Sequence, residues 1–138
     1  MRIFLDANVL FSAAKSDGAI RRLLTLLDQA GHECCVDSYV IEEARRNLAT
    51  KAPERVSELE RILLSLQTSP AQGSDATLEA SLPLPAKDRP VLAAAIRQGC
   101  SALVTGDKTH FGALYRRTLH GVAIHSPRSL AERLIRLD

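Results

Sequence analysis

Tryptophan is absent from the 138-residue chain, and the other aromatics are scarce: three Phe and two Tyr. Stacking of single-stranded bases on aromatic platforms is therefore a minor part of any recognition this chain carries out. Cysteine is scarce too, with three residues, two of them adjacent as Cys34-Cys35, and no C-x-x-C spacing. That excludes a disulfide framework and a cysteine-based zinc site, and leaves the cysteines as small buried hydrophobes. No apolar run exceeds a handful of residues, which excludes a transmembrane helix. The opening Met1-Arg2-Ile3-Phe4-Leu5-Asp6 meets the charge of Asp6 too soon for a signal peptide, so a cytoplasmic location is expected. The charges nearly cancel, 18 basic against 16 acidic for a net +2, which is too little to mark a nucleic-acid binder by itself. Lysine is confined to positions 15, 51, 87 and 108, so arginine dominates. Arginine suits bidentate phosphate contacts, although the base composition of a gene can also produce such a bias.

What is present is an ordinary globular composition, 46% hydrophobic and 25% charged. The length fits one domain, residues 1–138, able to bury a core without cross-links. Apolar runs at Ile3-Phe4-Leu5, Cys34-Cys35-Val36, Ala102-Leu103-Val104-Thr105 and Val122-Ala123-Ile124 read as strands. Helical periodicity appears in five places: Asn8–Ala14, then Ile20 to Leu27, then Val40 to Leu48, then Val56 to Leu66, and Val91 to Ile96. A last helix opens at Ser126-Pro127 with Leu130, Leu134 and Ile135 on its stripe. Thr68 to Pro85 reads as loop, with one short element near Thr77–Leu82. Alternating strands and helices predict an α/β fold: one three-layer domain with a mainly parallel central sheet flanked by helices. The strands lack in/out alternation, as strands covered on both faces do.

Asp6 and Asp107 each follow the C-terminal end of a predicted strand, where the ligand crevice of an open α/β sheet forms. Asp88 stands at the start of a predicted helix, where capping alone would explain it. Helical phase separates the adjacent glutamates Glu42 and Glu43. At about 100° per residue, Glu43 borders the stripe of Val40, Ile41, Ala44 and Leu48, whereas Glu42 points to the opposite side. Either could instead be a solvated residue paired along the helix with Arg46 or Asn47. Converging carboxylates repel one another unless a cation joins them or some stay protonated. A cluster of oxygens selects hard cations, Mg²⁺ or Mn²⁺. Such ions most often serve hydrolysis of phosphodiesters by water.

These segments together resemble a known family. Ile3-Phe4-Leu5-Asp6-Ala7-Asn8-Val9-Leu10, Ile41-Glu42-Glu43-Ala44-Arg45-Arg46-Asn47-Leu48, Lys87-Asp88-Arg89-Pro90-Val91-Leu92-Ala93-Ala94-Ala95 and Leu103-Val104-Thr105-Gly106-Asp107-Lys108-Thr109-His110-Phe111 are similar, in order, to the four acid-bearing segments of PIN-domain ribonucleases. Toxins of bacterial toxin–antitoxin pairs use this fold. The resemblance implies a Mg²⁺- or Mn²⁺-dependent endoribonuclease with Asp6, Glu43, Asp88 and Asp107 as catalytic metal ligands. It gives Asn8 the task of ordering the Asp6 loop or a water at the metal, and Thr105 a hydrogen bond to a carboxylate. Arg89 and Lys108, beside the acids, are expected to meet RNA phosphates, as a lesser expectation extends to His110 and to Arg116-Arg117. RNA, a cognate antitoxin protein and a second copy in a homodimer are the partners implied, with no membrane. Two other classes compete. A non-catalytic module would bind RNA or protein through the same surface. A haloacid-dehalogenase-like phosphotransferase would need a second Asp where Asn8 stands, and a receiver domain would need paired acids at its first strand and a later Lys.

Overall fold

The computed structural model describes residues 1–73 and 75–134. Its sheet grows outward from β1 (Arg2–Leu5), whose Ile3, Phe4 and Leu5 are fully buried. β1 pairs in parallel with β2 (Glu33–Asp37) on one side and β4 (Ala102–Val104) on the other. Beyond β2 lies β3 (Gln67–Ser69), parallel; beyond β4 lies β6 (Val122–His125), also parallel; and β5 (Thr118–Leu119) closes that side antiparallel to β6. The order is β3-β2-β1-β4-β6-β5. The predicted α/β architecture holds, with the four apolar runs at the four inner positions.

The two edge strands go beyond what the sequence predicts. Gln67-Thr68-Ser69 is polar and mostly exposed, and Thr118-Leu119 is only a hairpin stub. An edge strand needs a paired backbone on one side and no continuous apolar run, so hydrophobic periodicity does not mark it.

The helices connect these strands: α1 (Ala7–Lys15), α2 (Ala19–Gln29), α3 (Ser38–Lys51), α4 (Val56–Leu63), α5 (Ala76–Ala80), α6 (Arg89–Arg97), α7 (Lys108–Phe111) and α8 (Pro127–Leu134). Pro53 opens a 3₁₀ turn, Pro53–Arg55, ahead of α4. α1 packs on α2, α3 and α4, and α8 on α2 and β6. Val40, Ala44 and Leu48 of α3 are buried as their spacing requires, with Ile41 partly buried beside them. Ile135, expected on the last helix, lies outside the described residues. No helix among the described residues is long and apolar enough to cross a membrane.

Parallel pairing puts the C-terminal ends of β1, β2, β4 and β6 on one edge. Asp6, Asp37, Thr105 and His125 stand at or just beyond those four ends, all buried.

Candidate active site

The site is built on a clasp between the ends of β1 and β4. Asp6 is extended backbone at the start of α1, and its carboxylate accepts from the Ala7 N–H at 2.7 Å. Its other oxygen accepts from Thr105 Oγ1 at 2.8 Å and from Asn8 Nδ2 at 3.3 Å. Asn8 Nδ2 also donates to Thr105 Oγ1 at 3.2 Å, and its Oδ1 accepts from the Gly106 N–H at 2.7 Å. A side chain on Gly106 would begin 3.4 Å from that Oδ1, so this close approach suits glycine. Thr105 Oγ1 finally accepts from the Asp107 N–H at 3.1 Å. Asn8 and Thr105 thus fix Asp6 and the backbone of Asp107 in one network. Asp6 is 6% exposed. Burial pushes its carboxyl from 3.8 up to about 6, against the hydrogen bonds from Thr105 and Ala7, and the charges of Glu43 and Asp88 push the same way.

Asp107 caps α7 by accepting from the His110 N–H at 3.1 Å. Its Oδ2 lies 2.9 Å from His110 Nδ1, and that nitrogen is also 3.0 Å from Asp88 Oδ2. The imidazole therefore bridges two carboxylates, and among the described residues Asp88, Asp107 and His110 form a cluster able to hold a metal ion. One ring N–H cannot serve both oxygens well. Hydrogen-bond geometry is met toward Asp107, which leaves Asp88 Oδ2 buried without a donor. Asp88 differs here from its sequence expectation. It precedes α6, but its backbone is already helical and its side chain makes no capping bond. Burial raises its carboxyl pKa and so does Asp107, while His110 and Lys87 pull it down.

Helical phase sorts the two glutamates. Glu42 is exposed and ion-paired to Arg45, which also holds Glu60. Glu43 is half-buried, and its charge is felt at Asp6 and at Tyr39. Arg89 gives its Nε to the Leu84 carbonyl at 2.8 Å, and Lys108 is exposed at the start of α7.

Three residues at the site carry little signal in the sequence. His110 is expected from the sequence only as a lesser phosphate contact or a surface residue, because its neighbour Asp88 is 22 residues away in the chain. Tyr39 donates from its hydroxyl to the Lys87 carbonyl at 3.1 Å, tying the start of α3 to the residue before Asp88. Tyr115 donates to the Thr105 carbonyl at 2.8 Å. Their contacts span 10 to 48 residues of chain, which no local pattern reports.

A family model described as PIN domain matches residues 2–109, which contain all four acids. No curated protein matches the sequence significantly. Solved structures share the fold. The VapBC2 complex from Rickettsia felis bound to a promoter DNA fragment is similar at 17% identity, with TM-score 0.69, over 91% of this chain and 98% of that one. VapBC from Salmonella typhimurium, also bound to DNA, is 19% identical with TM-score 0.66 over 92% and 98%. VapC20 of Mycobacterium tuberculosis, a toxin that cleaves the sarcin-ricin loop, is 15% identical with TM-score 0.56 over 80% and 93%.

Proposed function

This chain belongs to the PIN-domain family, and on that premise we propose that it is a metal-dependent endoribonuclease, the toxin of a toxin–antitoxin pair acting in the cytoplasm. The observation that carries the reading is the Asp88 carboxylate, held beside Asp107 and His110 with a buried oxygen that no donor satisfies. A buried acceptor left short is costly in a purely structural role. It is what a cation site offers. A divalent ion fits beside Asp88 and Asp107, which lie with His110 within reach of one ion, and Asp6 and Glu43, whose charges act on the same place, would complete the carboxylate set that favours Mg²⁺ or Mn²⁺. When bound, the ion supplies Lewis-acid polarisation of the phosphoryl oxygen and activation of water.

The chain's own groups do the rest. Thr105 and Asn8 hold Asp6 in one rotamer and pin the backbone of Asp107. Geometry fixed in advance lowers the cost of reaching the transition state. Tyr39 anchors the Asp88 segment from α3. Lys108 and Arg89 flank the acids and offset their repulsion of an RNA backbone. The VapBC-like neighbours support an antitoxin partner, and a homodimer is a further part of the same reading that rests on the family resemblance alone.

Purified protein should cut RNA with Mg²⁺ or Mn²⁺ and stop on chelation with EDTA. Undiminished cleavage in EDTA, or none with any divalent ion, would overturn the reading.

A further inference from the structure

A second concave surface opens on the same edge of the sheet, beyond the end of β6. It is a cavity of about 190 Å³ lined by Tyr115, Arg116, Ser126, Arg128, Ser129 and Glu132. Arg116 Nη2 donates to Glu132 Oε2 at 2.6 Å, and Arg128 Nε donates to Glu132 Oε1 at 3.0 Å. Two exposed guanidiniums share one carboxylate, so the three side chains together keep a net charge of +1. Each spends a single nitrogen on Glu132 in these bonds, and a guanidinium has five N–H donors. The Ser126 hydroxyl, whose oxygen accepts from the Ser129 N–H, adds a donor at the mouth of the cavity.

Arg116 stands in the left-handed region, with φ 68°. That is uncommon for a residue with a side chain. Its N–H is fixed on the Ile124 carbonyl at 2.7 Å. Ile124 N–H in turn donates to the Arg117 carbonyl at 2.8 Å, so Arg116 is the left-handed first residue of a bulge at the start of the β5–β6 hairpin. Tyr115 connects the cavity to the acids. It lines the cavity, and its hydroxyl holds the carbonyl of Thr105, whose Oγ1 holds Asp6. β4 lies next to β6 and β1 next to β4, so the strand ends leading to Thr105 and Asp6 are about 5 and about 10 Å across the sheet from the end of β6. A neighbouring phosphate of a strand seated at the acids falls in this range.

We propose that Arg116 and Arg128, held by Glu132, form a phosphodiester-binding subsite that takes an RNA backbone phosphate flanking the one at the acid cluster. This deepens the ribonuclease reading and rests on it for the identity of the strand. A comparable group, Arg21 and Arg61 on Glu58, makes looser contacts of 3.5 and 3.7 Å. It sits where Arg21 meets Ala13 and Ala14, at the end of α1 away from Asp6. It serves as an internal control.

The test is binding of a fluorescein-labelled 12-nucleotide single-stranded RNA, followed by anisotropy with Ca²⁺ present and again in EDTA, at several salt concentrations. Arg116→Gln combined with Arg128→Gln should weaken binding at least fivefold and lower the salt slope by about one. Arg61→Gln should leave it unchanged. Glu132→Gln raises the local charge from +1 to +2 and should tighten binding, an outcome that damage to the fold cannot mimic. Equal binding by the parent and the double variant, no binding by the parent, or weaker binding by Glu132→Gln would overturn the subsite. Cleavage is scored separately. If the parent binds RNA through these arginines yet cuts nothing with any divalent ion, the ribonuclease reading fails and the subsite stands.

Discussion

Asp6 and Asp37 occupy equivalent places in neighbouring parallel strands. Each lies at the C-terminal end of its strand, each is almost fully buried, and each caps the helix that follows. Burial raises the carboxyl pKa of both. What differs is their company. Asp37 accepts from the Val40 N–H at 3.2 Å and has the guanidinium of Arg97 to steady its charge. Asp6 has two side-chain donors, Thr105 and Asn8, and its charged neighbours are the acids Glu43 and Asp88. One edge of one sheet thus carries a capping aspartate with a cation near it and another whose charged neighbours are acids. The second arrangement loses stability as it ionises toward neutral pH, and protonation or a bound cation relieves it.

The largest expected effect separates these two regions by activity. Asp88→Asn should reduce RNA cleavage by about 100-fold or more, as losses of charge at a reacting centre do. The variant should melt in EDTA at or above the parent's temperature, since one repelling charge is gone and no cap is lost. Millimolar Mn²⁺ should raise the parent's melting temperature, because a ligand of the folded state stabilises it, and should raise the variant's clearly less. Asp37→Asn should keep both the metal response and the cleavage rate within a few-fold. A full metal shift in Asp88→Asn with retained cleavage would remove Asp88 from the site.

The two glutamates of α3 give the next contrast. Glu43→Gln should also cost about 100-fold in cleavage. Glu42→Gln should change it little, because it breaks only an exposed pair with Arg45. The reverse ranking would show that the acid at the site is Glu42.

Much of this architecture is legible in the order of residues alone. The inner strands announce themselves because a strand covered on both faces must be apolar, and Ile3-Phe4-Leu5 is. Glu43 is separable from Glu42 because α3 has a clear buried stripe in Val40, Ala44 and Leu48. The edge strands are not legible, since their pairing partner supplies what their own residues lack. The place of Asp88 is half legible. Its position before a helix is clear, but the side chain turns from the helix end toward His110, a contact across 22 residues of chain. The Asn8–Thr105 clasp spans 97 residues, and only the resemblance to a family suggests that both residues serve the site.

A smaller effect should follow from cutting that clasp. Thr105→Val keeps the shape but removes the hydroxyl that donates to Asp6 and accepts from the Asp107 N–H. Leaving such buried groups short costs about 1–3 kcal/mol. Cleavage should fall by roughly tenfold, through displacement of the Asp6 carboxylate and of Asp107 with neither side chain removed. Thr105→Ser, which keeps the hydroxyl, should restore most of both. Loss of stability without any loss of cleavage would make the clasp merely structural.

The subtlest contrast between Asp6 and Asp37 is in pH. The Asp6 carboxyl rises from 3.8 to about 6 on folding. Between those values the folded chain holds a proton that the unfolded chain has released. Stability contributed by that proton is complete below about pH 4 and is lost as pH rises through about 6. That rise corresponds to about 3 kcal/mol at most. In EDTA the parent should therefore lose stability as the pH is raised from 4 to 7, and Asp88, also raised, should add a change of the same sign. His125 opposes them, since burial and the charges of Arg133 and Arg116 lower its pKa, so its share of stability grows as pH rises toward 6.5. The informative quantity is the difference between parent and variant. Asn at position 6 changes the hydrogen bonds by an amount that does not depend on pH, so Asp6→Asn should flatten the curve whatever it does to its height. Asp37→Asn should flatten it less, because Arg97 already favours the charged form there. Unfolding by urea at half-unit pH steps measures the slopes. A parent and an Asp6→Asn variant with parallel curves between pH 4 and 7 would show that Asp6 ionises in the fold as it does in the open chain, and that its buried charge is balanced after all.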